Sequence, residues 1–116
     1  MKSSVLKYYE FIDEDKLSEA LSFFSDDIVY TRGEQEFNGM ADFRSFYIND
    51  RKLNGRHIIR EVYELEEVVV VKGTYVGING SGKELDLNFS DFFYFDDRGK
   101  IRRRETFLAN GFVLIT

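Results

Sequence analysis

The segment from Lys83 to Phe95 places an apolar side chain at nearly every second position, which is the period of a β-strand. One face of this strand carries Leu85, Leu87, Phe89, Asp91, Phe93 and Phe95. Five of these six side chains are apolar, so this face is predicted to be buried against another layer of the protein. The sixth side chain is a carboxylate.

Asp91 is the most informative residue of the chain, because burying an unpaired carboxylate is very unfavourable. The side chain must therefore be hydrogen-bonded, ion-paired or protonated. Three interpretations stay open: a structural ion pair, a functional acid, and a β-bulge that turns the side chain to solvent.

Three segments with helical periodicity precede the strands. Ser3 or Ser4 is predicted to cap the first helix, residues 25–27 to end the second, and Asn38-Gly39 to open the third, which ends near Asp50. The residues predicted to face the core are, helix by helix, Val5, Tyr8, Tyr9 and Ile12; Leu17, Ala20, Leu21 and Phe24; and Met40, Phe43, Phe46 and Tyr47.

Strand patterns dominate the rest of the chain. They are predicted for residues 28–32, 56–64, from 68 onward, 83–95, 100–108 and 112–115, with turns at 65–67, 79–82 and 96–99. Helices followed by a run of strands predict an α+β fold, in which three N-terminal helices pack on a strongly curved, mostly antiparallel sheet.

Composition narrows the function further. A length of 116 residues fits one domain, 1–116, and the net charge of −5 argues against a nucleic-acid partner. No apolar run approaches the roughly 20 residues of a membrane span, and no signal-peptide core is present, so we expect no membrane partner and a cytoplasmic location. With one His and no Cys, the sequence predicts no metal site and no cofactor.

Several motifs together carry a resemblance to a known family. These are Phe24-Ser25-Asp26-Asp27, the run from Asn38-Gly39 to Phe46-Tyr47, and Asp91-Phe92-Phe93-Tyr94-Phe95 followed by Gly99-Lys100-Ile101. In order and spacing they resemble the nuclear transport factor 2-like superfamily, in particular its SnoaL-like and ketosteroid isomerase-like group. The resemblance implies a cone-shaped fold with an internal pocket.

The resemblance also implies roles for individual residues. Tyr8 and Asp91 match the tyrosine and the aspartate of the isomerase's oxyanion hole. The position of that enzyme's base falls on Arg32, which cannot accept a proton. The resemblance therefore points away from steroid isomerisation and towards the SnoaL-like group, in which an acidic residue deep in the cone acts as acid or base. A non-catalytic ligand-binding or dimerisation module is the alternative, so catalysis stays open.

The other candidate residues have two interpretations each. Arg32 is either an anion clamp or an ion-pair partner of Asp91, and we prefer the ion pair. Arg104 is a second partner for Asp91 or an edge charge. His57, the only histidine, is a general base or a hydrogen-bonded wall residue, and we prefer the wall residue. Tyr8 is predicted to face the pocket, although Tyr9 is the alternative.

The expected ligand and assembly follow from these residues. Apolar lining is predicted from Tyr30, Phe46, Phe89 and Phe93, which suits a small hydrophobic or anionic ring-bearing molecule. Phe92 and Tyr94 lie on the opposite sheet face, and we expect a homodimer to cover it. For Asp91 we prefer the functional acid, which predicts that Asp91→Asn leaves stability unchanged or improved.

Overall fold

Residues 1–109 are described by a computed structural model, and they form a helical layer on one face of a six-stranded sheet. Helix α1 spans Lys2–Asp13, α2 spans Leu17–Leu21, and α3 spans Gly39–Ser45 and continues as a π-helical turn over Phe46–Asp50. Each helix turns its predicted apolar stripe towards the core, although Leu17 on α2 and Met40 on α3 are only half-buried. Val5, Tyr8, Tyr9 and Ile12 form the buried stripe of α1.

The six strands are mostly antiparallel. They are β1, Phe24–Arg32; β2, Gln35–Asn38; β3, Leu53–Glu64; β4, Val68–Asn79; β5, Glu84–Phe95; and β6, Ile101–Leu108. Their order across the sheet is β2-β1-β6-β5-β4-β3, and only the β1–β6 pair among them is parallel. The predicted α+β fold, with helices on a curved and unclosed sheet, is confirmed.

Two local features curve the sheet. The registers of β1 with β6 and of β3 with β4 shift by a bulge-like irregularity, and such bulges bend a strand. Gly55 and Gly77 face each other on β3 and β4, where a Cβ on Gly55 would lie 2.2 Å from the carbonyl oxygen of Val76. The two strands approach closely at this point because neither residue has a side chain.

The sheet has a buried face and an outer face. The alternation predicted for β5 is present, with Leu85, Leu87, Phe89, Asp91, Phe93 and Phe95 all buried. The interpretation in which a bulge turns Asp91 to solvent is therefore wrong, because the side chain is 1% exposed. The outer face carries half-buried Phe92 and Tyr94 and exposed Phe107.

Some boundaries differ from the prediction. Phe24 and residues 25–27 belong to β1 rather than to the second helix, which is one turn shorter than predicted. Phe24 is buried as expected, because a strand and a helix both turn this side chain to the core. Met1 is the N-cap of α1 and no side chain caps it, so the predicted serine cap is wrong.

Strand β2 was not predicted, since it is a short edge strand in which Phe37 is the one apolar residue. The strand predicted for residues 112–115 lies outside the described residues. Over residues 1–109, no helix is both long enough and apolar enough to cross a membrane. The cytoplasmic location and the single domain over 1–116 stay predictions.

Candidate functional site

Asp91 lies on β5 at the base of the space between sheet and helices, and both of its carboxylate oxygens accept hydrogen bonds. Oδ2 accepts from the hydroxyl of Tyr9 on α1 at 2.5 Å and from Nη2 of Arg104 on β6 at 3.0 Å. Oδ1 accepts from the hydroxyl of Thr106, which itself accepts from the hydroxyl of Tyr30 at 3.0 Å. The carboxylate is thus held by groups from a helix and a neighbouring strand.

Arg104 is the cationic half of this buried ion pair. Its Nη1 donates to the hydroxyls of Tyr8 and Tyr47, at 2.7 Å in each case. Its guanidinium carbon lies 4.9 Å from the ring centroid of Tyr8 and 4.8 Å from that of Tyr30, so aromatic faces also stabilise the charge. Arg104 therefore joins β6 to α1 and to the π-helical turn.

The network fixes the charge state of Asp91. Burial alone would raise the pKa of this carboxyl, but Arg104 and the hydrogen bonds from Thr106 and Tyr9 outweigh burial and hold the pKa below its ordinary value. Burial likewise opposes the charge on Arg104, but Asp91 and the surrounding tyrosines together outweigh burial, so the pKa of the guanidinium is raised. Asp91 is accordingly a carboxylate at neutral pH.

The tyrosines are hydrogen-bond donors at any ordinary pH. Burial raises the pKa of Tyr8, Tyr9 and Tyr47, and the charge of Asp91 raises that of Tyr9 further. The hydroxyls of Tyr8 and Tyr47 also bond to each other. Because only one of them can donate in that bond, the other keeps a proton that it can donate to a bound molecule.

A cavity of about 50 Å³ lies above this network. Of the predicted site residues, it is lined by Tyr8, Tyr30, Arg32, Phe46, Phe89, Asp91 and Arg104. Its other lining residues are Tyr47, Arg51, Leu53, Tyr75, Leu87, Thr106 and Leu108. The structure therefore brings together every predicted site residue except Phe93 and His57, while the roles of these residues stay predictions.

Phe93 and His57 lie in the wall rather than at the cavity. Phe93 is fully buried, with its ring centroid 5.4 Å from the guanidinium carbon of Arg104. His57 on β3 bonds to Asp13 at the end of α1, through Nδ1 at 2.6 Å and through its backbone N–H at 2.7 Å. His57 is thus a hydrogen-bonded residue of the wall, which was the preferred interpretation, and the geometry does not favour it as a general base.

The arginine partner of Asp91 differs from the one we preferred. Asp91 pairs with Arg104, and among the described ion pairs none joins Asp91 to Arg32. Arg32 is 5% exposed and its guanidinium carbon lies 5.0 Å from the ring centroid of Phe46. Tyr8 and Tyr9 were predicted as alternatives, and both belong to the network: Tyr9 donates to Asp91, and Tyr8 accepts from Arg104.

Among the polar groups that line the cavity, sequence reasoning missed Thr106, Tyr47, Arg51 and Tyr75, and it also missed Asp13 as the partner of His57. The signal for Thr106 was present, because it lies two residues after Arg104 and therefore shares its strand face. Tyr47 was predicted to be a buried residue of the third helix, but no role was assigned to its hydroxyl. Nothing in the local pattern marks Arg51, which lies in the connection between the π-helical turn and β3.

The site is unsuited to a metal ion. Over residues 1–109 no group of three or more His, Asp or Glu side chains could hold one. Arginine is a poor neighbour for a cation, and three arginines against one carboxylate line the cavity. The same arrangement, with hydroxyl donors beside it, suits a molecule that presents oxygen or negative charge.

Comparison with known proteins agrees with the fold. A family model described as SnoaL-like domain matches residues 5–104. None of the curated proteins matches the sequence significantly.

Three solved structures illustrate the likeness. TerC co-crystallised with polyporic acid is 22% identical, with a TM-score of 0.82 over 93% of this chain and 90% of TerC. An NTF2-like protein of unknown function from Burkholderia pseudomallei is 21% identical, with a TM-score of 0.86 over 99% and 96%. A protein with a ketosteroid isomerase-like fold from Catenulispora acidiphila, in complex with trimethylamine, is 13% identical, with a TM-score of 0.77 over 90% and 83%. At these identities the likeness shows the fold alone.

The ion pair predicts a large effect of removing either charge. We now expect Asp91→Asn and Arg104→Met each to lower the free energy of unfolding by about 3–5 kcal/mol, because each leaves a buried charge without its partner. The double variant should recover much of this loss, since it strands no charge. Urea unfolding at pH 7 measures all three, and Asp86→Asn, exposed on the same strand, is the matched control. An Asp91→Asn variant as stable as the wild type would instead support the functional acid.

His57 predicts the pH dependence of stability. Burial lowers the pKa of His57 below its ordinary value, despite the bond to Asp13. Between the folded and the unfolded pKa the unfolded chain binds more protons, so stability is complete above about pH 6.5 and is lost as the pH falls through the folded pKa. Urea unfolding from pH 7.5 to 5 should show this loss in the wild type and little of it in His57→Gln. A stability that rises on acidification would mean that Asp13 dominates over burial.

Proposed function

We propose that this chain, which belongs to the SnoaL-like domain family, binds a small hydrophobic or anionic molecule in the cavity at the centre of its cone. The observation that carries the proposal is the cavity itself, in which a buried ion pair and two linked tyrosine hydroxyls meet aromatic walls. Such a combination of apolar lining with a few convergent polar groups is typical of ligand sites. TerC with polyporic acid and the Catenulispora protein with trimethylamine support it by showing related folds with small molecules.

In this proposal Asp91 positions other groups rather than exchanging protons. Its oxygens accept from Tyr9, Thr106 and Arg104, and its charge orients the guanidinium. Arg104 in turn polarises the hydroxyls of Tyr8 and Tyr47, one of which keeps a proton for the ligand. An oxygen atom of the ligand would accept a hydrogen bond from that hydroxyl.

Acid–base catalysis is the second candidate, because the ionised carboxylate of Asp91 lines the cavity. An ionised Asp91 can act only as a base, not as the acid we had preferred. A depressed pKa makes it a weak base, which favours the binding function.

The size of the cavity limits the ligand. About 50 Å³ is far below the roughly 300–1,000 Å³ typical of sites for drug-sized molecules. A compact molecule fits the space as it stands. A ring-bearing molecule requires the wall to open, and half-buried Arg51 is the lining arginine with the most freedom to move.

Ligand binding should appear as thermal stabilisation. At a concentration of about 100 times Kd, a ligand stabilises by about 2.7 kcal/mol and raises Tm by several degrees. We expect this from at least one member of a set of small acids, phenols and their neutral analogues. Tyr8→Phe should weaken the effect, because it removes a hydroxyl of the Tyr8–Tyr47 pair.

The matched control is Tyr63→Phe, which alters a tyrosine that is 49% exposed and is not among the cavity-lining residues. A set without any stabiliser would count against the binding function. NMR shifts that map to Ser90 and Phe107 on the outer face, instead of to the cavity, would also count against the binding function.

We further propose that the outer face of the sheet pairs two copies of the chain. Phe92 and Phe107 pack edge to face at 5.7 Å on this face, and Phe107 is 53% exposed. Val70 and Tyr94 extend the apolar surface on neighbouring strands. The helices cover the opposite face, so a second copy is the partner that would bury these side chains.

The assembly is measurable by light scattering at tens of micromolar protein. We expect twice the mass of the chain, from an interface on the order of 1,600 Å². Phe107→Glu should yield a monomer, because it removes an exposed ring from the proposed interface and places a charge beside Phe92. Leu65→Glu, at an exposed position in the turn between β3 and β4, should leave the mass unchanged. A monomeric wild type would contradict the proposal.

A further inference from the structure

The edge of the sheet at β3 carries a polar contact that the ligand site does not explain. Over residues 1–109 the outermost strands of the sheet are β2 and β3. Strand β2 has four residues, whereas β3 has twelve. A long edge strand presents a row of backbone N–H and C=O groups that can pair with a strand of another chain. The short strand β2 offers little to pair with, so β3 is the edge that needs protection.

A bulge protects one part of β3. The pairing of β3 with β4 shifts between Ile59 and Glu61, and such an irregularity bends the strand and interrupts regular pairing. The regular stretch before the bulge is residues 53–59. This stretch contains two consecutive β-branched residues, Ile58 and Ile59, and both are half-buried. It is therefore the part of the edge best suited to accept another strand.

A carboxylate from helix α1 occupies this stretch. Oδ2 of Asp13 accepts a hydrogen bond from the backbone N–H of His57 at 2.7 Å, and Oδ1 bonds to Nδ1 of the same residue at 2.6 Å. Successive residues of an antiparallel strand direct their backbone groups to opposite neighbours. Because the N–H of His57 bonds to α1 rather than to β4, it is a group that an added strand would need.

The position of Asp13 is unfavourable for its own helix. Asp13 is the last residue of α1, and the last turn of this helix contains no basic residue. A carboxylate at the C-terminal end of a helix is repelled by the helix dipole. A residue that breaks a local rule in this way calls for a compensating gain elsewhere. The two bonds to His57 supply that gain, and they lie at the edge of the sheet.

We propose that Asp13 guards the edge of β3 and prevents it from pairing with β3 of a second copy of the chain. A second copy is the partner to exclude, because two identical edges can pair antiparallel about a two-fold axis. Removing the carboxylate would free the N–H of His57, and two sheets could then join edge to edge. This role is independent of the cavity, of its ligand and of the outer face of the sheet.

Hydrogen exchange measured by NMR tests the guard. The His57 amide should be protected in the wild type, and it should exchange at least about tenfold faster in Asp13→Ala, because one hydrogen bond to a charged group is lost. Asp13→Asn keeps an oxygen acceptor and should retain most of the protection. His57→Gln removes the ring but keeps the backbone N–H, so it is the matched control for losing the side-chain anchor alone.

Light scattering at hundreds of micromolar protein then measures association. Each variant is combined with Phe107→Glu, which removes the proposed outer-face contact, and is compared with Phe107→Glu alone. Asp13→Ala should exceed the mass of this parent, and its His57 amide should regain protection as the concentration rises. Asp13→Asn and His57→Gln should keep the mass of the parent.

Four results would overturn the guard. Asp13→Ala might keep the parent's mass while its β3–β4 ladder stays protected, which would leave Asp13 as an anchor of α1. Association without renewed protection of the His57 amide would mean that another surface pairs. Equal association of His57→Gln would make the lost anchor, rather than the freed N–H, the cause. A wild-type His57 amide that exchanges as fast as an unbonded amide would overturn the guard even if Asp13→Ala does not fold.

Discussion

The buried ion pair between Asp91 and Arg104 lies where the helical layer meets the sheet, and its hydrogen bonds connect the two layers. Tyr8 and Tyr9 bring α1 into the network, Tyr47 brings the π-helical turn, and Thr106 connects it to Tyr30 on β1. A buried ion pair adds little net stability compared with apolar packing of equal volume. The hydrogen bonds of the pair are directional, however, so they fix the orientation of the helices on the sheet.

The same network decides what chemistry the cone can support. Because Asp91 is ionised and its oxygens already accept from Tyr9, Thr106 and Arg104, it has little basicity and no proton to give. The groups still able to act on a ligand are the hydroxyl pair of Tyr8 and Tyr47 and the arginines higher in the cavity. Those groups are hydrogen-bond donors and cations, which is the chemistry that the proposed binding of an oxygen-bearing molecule requires.

The sequence predicts the layers of this fold and half of the described cavity lining, because strand parity tells which face a side chain occupies. It does not tell which strands are neighbours. Arg32, Thr106 and Asp91 lie in one row across β1, β6 and β5, so Arg32 is two strands, or about 10 Å, away from Asp91. Arg104 lies on the adjacent strand and reaches the carboxylate diagonally, which is why it is the partner. The parallel pairing of β1 with β6 that sets this row is non-local and leaves no local pattern.

Arginine side chains line the cavity of a chain that is acidic overall. The chain carries a net charge of −5, whereas the described residues of its cavity lining include three arginines and one carboxylate. Charges on the surface are screened beyond about 8 Å at physiological ionic strength, while those within the cone are screened much less. In the proposed binding function the arginines therefore dominate the affinity for a molecule already inside, and the acidic surface mainly opposes the approach of highly charged anions. Under that proposal the distribution favours ligands with a largely apolar body over polyanions such as nucleic acids.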